Sequence, residues 1–306
     1  MNKPVRIGTR ESQLAVWQAT LVKNMLAAGG IKSELIFIKS DGDTDLTTPL
    51  YEIGVQGIFT KALDIALLHK EIDIAVHSMK DVPTMLAKGI MQAAVLPRAS
   101  YKDLLVYRND PVDFDRLKMP AAIATSSIRR KAQWLNRYPG SRIENLRGNV
   151  NTRLRKVAES DWHGAIFAAA GLERIGLRPN NAVELDWMLP APAQGAIMIV
   201  CREGDDFISQ TCFALNDSDT ATCTMVEREF LRTLLGGCST PISALATIAG
   251  NQLILKGNIL STDGRQKVDI AKTVTTSDFQ TSGADAAEEI LNNGGREIAA
   301  GIKNGT

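Results

Sequence analysis

Residues 57–83, GIFTKALDIALLHKEIDIAVHSMKDVP, decide the fold class. GIFTKALDIALLHKEI carries apolar residues at helical spacing and reads as a helix. DIAVHS, at 73–78, is a short apolar run of strand length, and MKDVP, at 79–83, opens it into a polar loop. Upstream, VRIGTR (5–10) reads as a strand and ESQLAVWQATLVKNMLAAGG (11–30) as a helix. Leu14, Trp17, Leu21 and Met25 form the stripe of that helix, and Gly29-Gly30 stop it. ELIFIKS (34–40) is a second strand, followed by the long polar loop DGDTDLTTP (41–49). This β-α-β-α-β rhythm predicts a parallel sheet with ligand-facing loops at the carboxyl ends of its strands.

The rhythm restarts near residue 121. AAIATSS is a strand, SIRRKAQWLNRYP a helix, RIENL a strand, RGNVNTRLRKVAES a helix and GAIFAAA a buried strand. A second α/β unit is expected over 102–191. QGAIMIVC, just after the Pro-rich LPAPAQ, reads as a strand returning to the first sheet. That gives a first domain of 1–98 with 195–214. From 216 to 306 the pattern is α+β: one helix (TMVEREFLRTLLGG), strand-like ALATIAG, QLILKGNIL and KVDIAKTV, and a final helix at Gly283–Ile302. There is no short-period repeat and no low-complexity tract.

The chain has 306 residues, 44% hydrophobic and 23% charged, with a net charge of +1. Those values fit a globular protein of more than one domain. The first residues lack the apolar run of a secretory signal, and no stretch nears the roughly 18 apolar residues of a membrane span. The expected location is the cytoplasm, with no membrane partner. Between Arg129 and Arg155 lie seven arginines, with Glu144 as the only acid. A local positive field on a near-neutral chain points to a defined anionic ligand rather than to a nucleic acid. Cys201, Cys212, Cys223 and Cys238 form no C-x-x-C pair, and the three histidines have no metal-ligand spacing, so no metal is expected.

Four segments carry chemistry-bearing residues. Lys80 and Asp81 emerge at a strand end; they form a surface ion pair of little worth, or a carboxylate that stabilises a cation and handles protons. Thr125-Ser126-Ser127 end a strand just before a helix, where hydroxyls serve as N-caps or as part of an anion cradle. Arg129 and Arg130 face solvent there, or offer forked donors to a carboxylate. Arg147 and Arg153 repeat the device, and Arg10 follows the first strand. Strand-end arginines from two sheets, converging on one cleft, would bind a ligand with several carboxylates. Finally, Gly236-Gly237-Cys238 places a thiol in a loop after a helix; cations nearby would make it a nucleophile, whereas Cys201, Cys212 and Cys223 read as inert core thiols.

Taken together, RIGTRESQLAVWQA, DIAVHSMKDVPT, ATSSIRRKAQ, LRGNVNTRLRK, AAAGLERIGL, PAPAQGA and EREFLRTLLGGCSTPI resemble the hydroxymethylbilane synthase (porphobilinogen deaminase) family, from residue 5 to about residue 300. The resemblance implies an α/β fold of two periplasmic-binding-protein-like domains plus a small C-terminal α+β domain. It implies a monomeric transferase of porphyrin biosynthesis that condenses four porphobilinogen molecules, releasing ammonia. Cys238 would carry a dipyrromethane cofactor through a thioether, and Asp81 would stabilise the cationic pyrrole and assist proton transfer. Lys80, Asp81, Thr125, Ser126, Ser127, Arg129, Arg130, Arg153 and Gln194 would hold the cofactor. Arg10, Ser12, Gln18, Arg147, Arg153 and Arg174 would serve the substrate and the growing chain.

The chain departs from the commoner family pattern at Glu11, Gln13, Ala193 and Gln56, the last within an active-site loop expected around Asp43–Phe59. None of these changes removes Asp81, Cys238 or the main arginines. Two other readings compete. A non-catalytic two-lobed polycarboxylate-binding protein would share the cleft but need no loop thiol. A nucleic-acid binder would show strongly salt-dependent binding, and 5% aromatic residues and a net charge of +1 count against it.

Overall fold

The computed structural model describes residues 3–39, 60–117, 120–234 and 240–304. The chain begins with β1 (Val5–Thr9), α1 (Gln13–Ala28), β2 (Ser33–Phe37), α2 (Lys61–Leu68), β3 (Ile74–Ser78) and β4 (Ile90–Val95). Next come β5 (Asp103–Tyr107), β6 (Ala122–Ala124), α3 (Ile128–Arg137), β7 (Arg142–Glu144), α4 (Val150–Glu159), β8 (Gly164–Ala168), α5 (Ala169–Glu173) and β9 (Ala182–Glu184). It closes with β10 (Ile197–Arg202), α6 (Asp206–Phe213), α7 (Ser218–Leu234), β11 (Ile242–Ala249), β12 (Gln252–Leu260), β13 (Lys267–Thr275), α8 (Ser282–Ile290) and α9 (Arg296–Asn304).

These elements form two compact units. The first takes the described residues up to Ala99 together with Gly195–Thr222; the second takes Ser100–Gln194 and the described residues from Cys223 onward. The first unit holds a sheet of order β2-β1-β3-β10-β4, and the second holds β7-β6-β8-β5-β9 and a meander β11-β12-β13. The expected α/β class with a smaller α+β part is present. The five-stranded sheets are mixed, however, rather than purely parallel. β10 runs antiparallel to both β3 and β4, and β5 antiparallel to both β8 and β9. Only the strands joined by helical crossovers within one unit must run parallel. β10 enters its sheet from the second α/β run and is free of that constraint. QGAIMIVC does return to the first sheet, as its apolar run predicts.

α1 buries a different stripe from the one its large residues suggest. Ala15, Gln18, Ala19, Val22 and Leu26 face the sheet, while Trp17 is exposed. Both stripes have helical spacing, so periodicity alone does not choose between them. The small residues permit close approach, and Leu21 and Met25 pack at the margin of the core. The single final helix is also broken, because Leu291–Gly295 form a wider turn in which Gly294 takes φ 101°. Glycine alone adopts that conformation cheaply. In the meander, a side chain on Gly257 would stand 2.6 Å from the Phe230 ring, so its absence lets α7 seat that ring against β12.

Candidate active site

The first unit presents Lys80 and Asp81 on a short turn. β3 is buried from Ile74 to His77, and the chain then makes one helical turn over Met79–Asp81. Met79 N–H donates to Ala196 O at 3.0 Å, and Val82 N–H to Met79 O at 3.1 Å. Met79 and Val82 are both buried, so the half-buried Lys80-Asp81 pair stands between two fixed points. Gln18, buried on α1, donates from Nε2 to Ser78 Oγ at 2.9 Å and so ties the helix to the strand end. Ser12 is the N-cap of α1, its hydroxyl accepting from Ala15 N. Arg10 follows directly on β1. Beside it, burial pushes the His77 imidazole down to about 4, and the charge of Arg10 acts the same way. His77 is therefore neutral near pH 7, and its buried Nε2 has no hydrogen-bond partner.

In the second unit, Thr125, Ser126 and Ser127 lie between β6 and α3. Ser127 caps the helix, accepting from Arg130 N, and Thr125 Oγ1 accepts from Ser127 N at 3.2 Å. Ser126 meets Asn145 and accepts from Leu146 N at 2.8 Å. The capping role is thus real for Ser127, and it leaves the hydroxyls gathered at a helix start, where anions are favoured.

Arg129 and Arg130 turn inward rather than toward solvent. Both are buried, and they converge on Asp103, the first residue of β5, which is wholly inaccessible. Asp103 Oδ1 accepts from Arg130 Nε (3.1 Å), Arg130 Nη2 (2.7 Å) and Gln194 Nε2 (2.9 Å). Its Oδ2 lies 2.8 Å from Arg129 Nη1. Arg130 Nη1 also donates to Ile166 O, and Arg129 Nη1 to Leu189 O. Burial alone would raise the Asp103 carboxyl, but the two guanidiniums outweigh it and hold the group well below the usual carboxylate range. Two buried cations facing one anion leave a local charge of +1, and the buried Arg129 Nε has no hydrogen-bond partner. A carboxylate ligand would relieve both.

The remaining arginines are spread around this unit. Arg147, before α4, is buried, and its carbonyl accepts from Lys156 Nζ at 3.2 Å. Arg153, in the second turn of α4, donates from Nε to Gly148 O at 2.7 Å. Arg174 follows α5, where burial lowers it to about 10 against the opposing charge of Glu173. Burial also pushes the Cys212 thiol up to about 12 and raises Cys201, in keeping with inert core thiols. Cys238, Gln56 and the Asp43–Phe59 loop lie outside the described residues. Among those described, no group of three or more His, Cys, Asp or Glu could hold a metal, and no helix is long and apolar enough to cross a membrane.

Sequence reasoning missed Asp103, His77 and Gln133. Asp103 had a signal: a carboxylate opening the apolar run DLLVY must find a cation, and SIRRK supplies two. Gln133 is buried on α3; its Nε2 donates to Leu189 O (2.9 Å) and Ser243 Oγ (3.0 Å), and its Oε1 accepts from Leu189 N. Nothing in a lone glutamine on a charged helix announces that role.

Comparison with known proteins gives concordant matches. Residues 5–210 match the family model described as porphobilinogen deaminase, dipyromethane cofactor binding domain. Residues 221–292 match that of the porphobilinogen deaminase C-terminal domain. The chain is 41% identical over 300 residues to the porphobilinogen deaminase of Trichlorobacter lovleyi, covering 97% of this chain and 96% of that protein. It is 39% identical over 308 residues to that of Acidithiobacillus ferrooxidans, covering 99% and 100%. Among solved structures, the methionine-binding protein MetQ is similar at 13% identity, with a TM-score of 0.45 over 71% of this chain and 91% of that one.

Proposed function

This chain belongs to the porphobilinogen deaminase family, and we propose that it acts as a hydroxymethylbilane synthase, condensing four porphobilinogen molecules head to tail with release of ammonia. The observation that supports this most is the net-positive Arg129–Arg130–Asp103 set beside the hydroxyls of Thr125, Ser126 and Ser127. Each pyrrole unit carries an acetate and a propionate, and paired arginines that stay charged suit them. The family's cofactor is dipyrromethane, which when bound supplies the pyrrole terminus that is extended. In this reading Cys238 carries it by a thioether. Lys80, Thr125, Ser126, Ser127, Arg129, Arg130, Arg153 and Gln194 hold its carboxylates, and the unpartnered Arg129 Nε fits that duty.

Arg10, Arg147, Arg153 and Arg174 receive the carboxylates of incoming substrate and growing chain, with Ser12 and Gln18 in support. The Asp81 carboxylate stabilises positive charge on the reacting pyrrole and takes or returns its proton. The anchored turn at Met79 and Val82 keeps that carboxylate at one place during repeated additions. Three domains carry these parts: 1–98 with 195–214, 102–191, and 216–306. Each range contributes a sheet of its own, which supports the division. The enzyme works in the cytoplasm as a monomer, on a small molecule, without metal, nucleic acid or membrane.

The test is Asp81→Ala. Porphobilinogen consumption falls about 10²- to 10⁴-fold, the range for loss of a general acid–base group, while the thermal melt stays unchanged. Wild-type turnover in the variant contradicts the assignment.

A further inference from the structure

We propose that Asp103 is a positioning residue for carboxylate recognition: it fixes Arg129, and with it Arg130, in the orientation that receives the pyrrole carboxylates. The proposal rests on the reading of Arg129 as a carboxylate holder. Asp103 itself never meets the ligand in this account, since it is wholly buried and both its oxygens face cations.

A long arginine side chain loses rotamer entropy when it is immobilised. A guanidinium already held in place binds a carboxylate without that cost. Arg129 is held through one nitrogen, Nη1, which sits 2.8 Å from Asp103 Oδ2 and 2.7 Å from Leu189 O. Its Nε makes no hydrogen bond. Arg130 differs, because Nε and Nη2 both engage Asp103 and Nη1 engages Ile166 O. Asp103 therefore fastens Arg130 through two nitrogens and Arg129 through one, and Ile166 O holds the third nitrogen of Arg130, which makes Arg129 the better placed of the two to take a further anion.

Asp103 is in turn steadied by Gln194. Its Nε2 donates to Asp103 Oδ1 and to Tyr101 O at 2.8 Å, so the carboxylate cannot follow either arginine outward. The cations hold Asp103 far below the usual carboxylate range. It stays ionised at every pH where the enzyme works and has no part in proton transfer. Neutralising one of two cations also matters: with no anion the pair would repel, and with two anions the incoming carboxylate would gain nothing.

A double-mutant cycle separates positioning from plain structural support. Asp103→Asn, Arg129→Gln and the double variant are each purified. Cofactor occupancy is read by intact mass, the KM for porphobilinogen by initial rates, and folding by thermal melts. Asp103→Asn is expected to lower occupancy or raise KM about tenfold in the wild-type background. In the Arg129→Gln background the same change should cost only about threefold, because its effect through Arg130 alone remains. A penalty of equal size in both backgrounds overturns the proposal, since Asp103 would then not act through Arg129.

If Asp103→Asn fails to fold, Asp103→Glu moves the carboxylate without altering any charge. Its penalty should likewise be smaller where Arg129 is absent, and equal penalties again overturn the proposal. If Arg129→Gln itself leaves occupancy and KM unchanged, the assignment of Arg129 as a carboxylate holder falls, and this proposal falls with it. If Arg129→Gln weakens both while the cycle is additive, only the positioning role of Asp103 is lost.

Discussion

The two five-stranded sheets share one wiring pattern and carry opposite chemistry. Each orders its strands second-first-third, then an antiparallel visitor, then the last. Ser12 and Ser127 cap corresponding helices, and Gln18 and Gln133 occupy the same position beyond those caps. In the first unit the glutamine grips the end of β3, where Lys80 and Asp81 follow. In the second it grips Leu189 and Ser243, and the caps are followed by arginines locked onto a buried carboxylate. The frame sets where functional residues can stand, namely at strand ends and helix starts. Which residues stand there sets the chemistry a unit can offer: a lysine–carboxylate pair in the first, paired arginines in the second.

The largest expected difference between the units lies in their ion pairs. Asp103→Ala strands two buried guanidiniums and should cost about 3–5 kcal/mol, the range for breaking a buried pair. Asp73 in the first unit also meets two arginines, Arg6 and Arg202. Arg6 is 35% exposed there, so water screens the pair. Asp73→Ala should cost only about 1–2 kcal/mol. Urea melts of both variants measure this, and equal losses would break the contrast.

Acid should then distinguish the units. An unfolded chain protonates His77 below about pH 6.5, whereas the folded protein resists until about pH 4. The stability His77 confers is whole above pH 6.5 and declines as pH falls toward 4, by about 3 kcal/mol in all. His77→Asn should flatten that part of the pH–stability curve. The Asp103 contribution has the opposite origin, a depressed carboxylate. It persists through the same window and is lost only as pH drops below the unfolded value of about 3.9. An unchanged slope in His77→Asn would refute the neutral, buried imidazole.

The smallest effect concerns the junction between the two runs of sequence. Ala193 holds φ 60°, in the left-handed region that suits glycine. Its N–H donates to the buried Glu227 Oε2 at 2.6 Å, which pins the strained residue. Ala193→Gly should raise stability by about 1 kcal/mol. A loss measured in the same melts would mean that the alanine methyl contributes packing worth more than the strain.

The sequence made the strand-to-helix junctions legible because apolar runs and hydroxyl-led helix starts are local signals. Lys80, Asp81, Arg10, Arg129 and Arg147 could be singled out on that basis. The wide turn at Gly294, the true stripe of α1 and the antiparallel β10 and β5 were not legible. Each depends on what packs against the element rather than on the element itself. The inward turn of Arg129 and Arg130 was hidden for the same reason, since their partner Asp103 lies far away in sequence. The family resemblance went beyond the residues here: no local pattern around Cys238 marks it as a cofactor carrier.

That cysteine is where the account is most directly tested. Intact masses of the purified wild type and of Cys238→Ala should differ by more than the substitution, with two pyrrole units present on the wild type alone. A wild type that stays unmodified even after incubation with porphobilinogen would contradict the covalent cofactor, and with it the mechanism built on the arginines around Asp103.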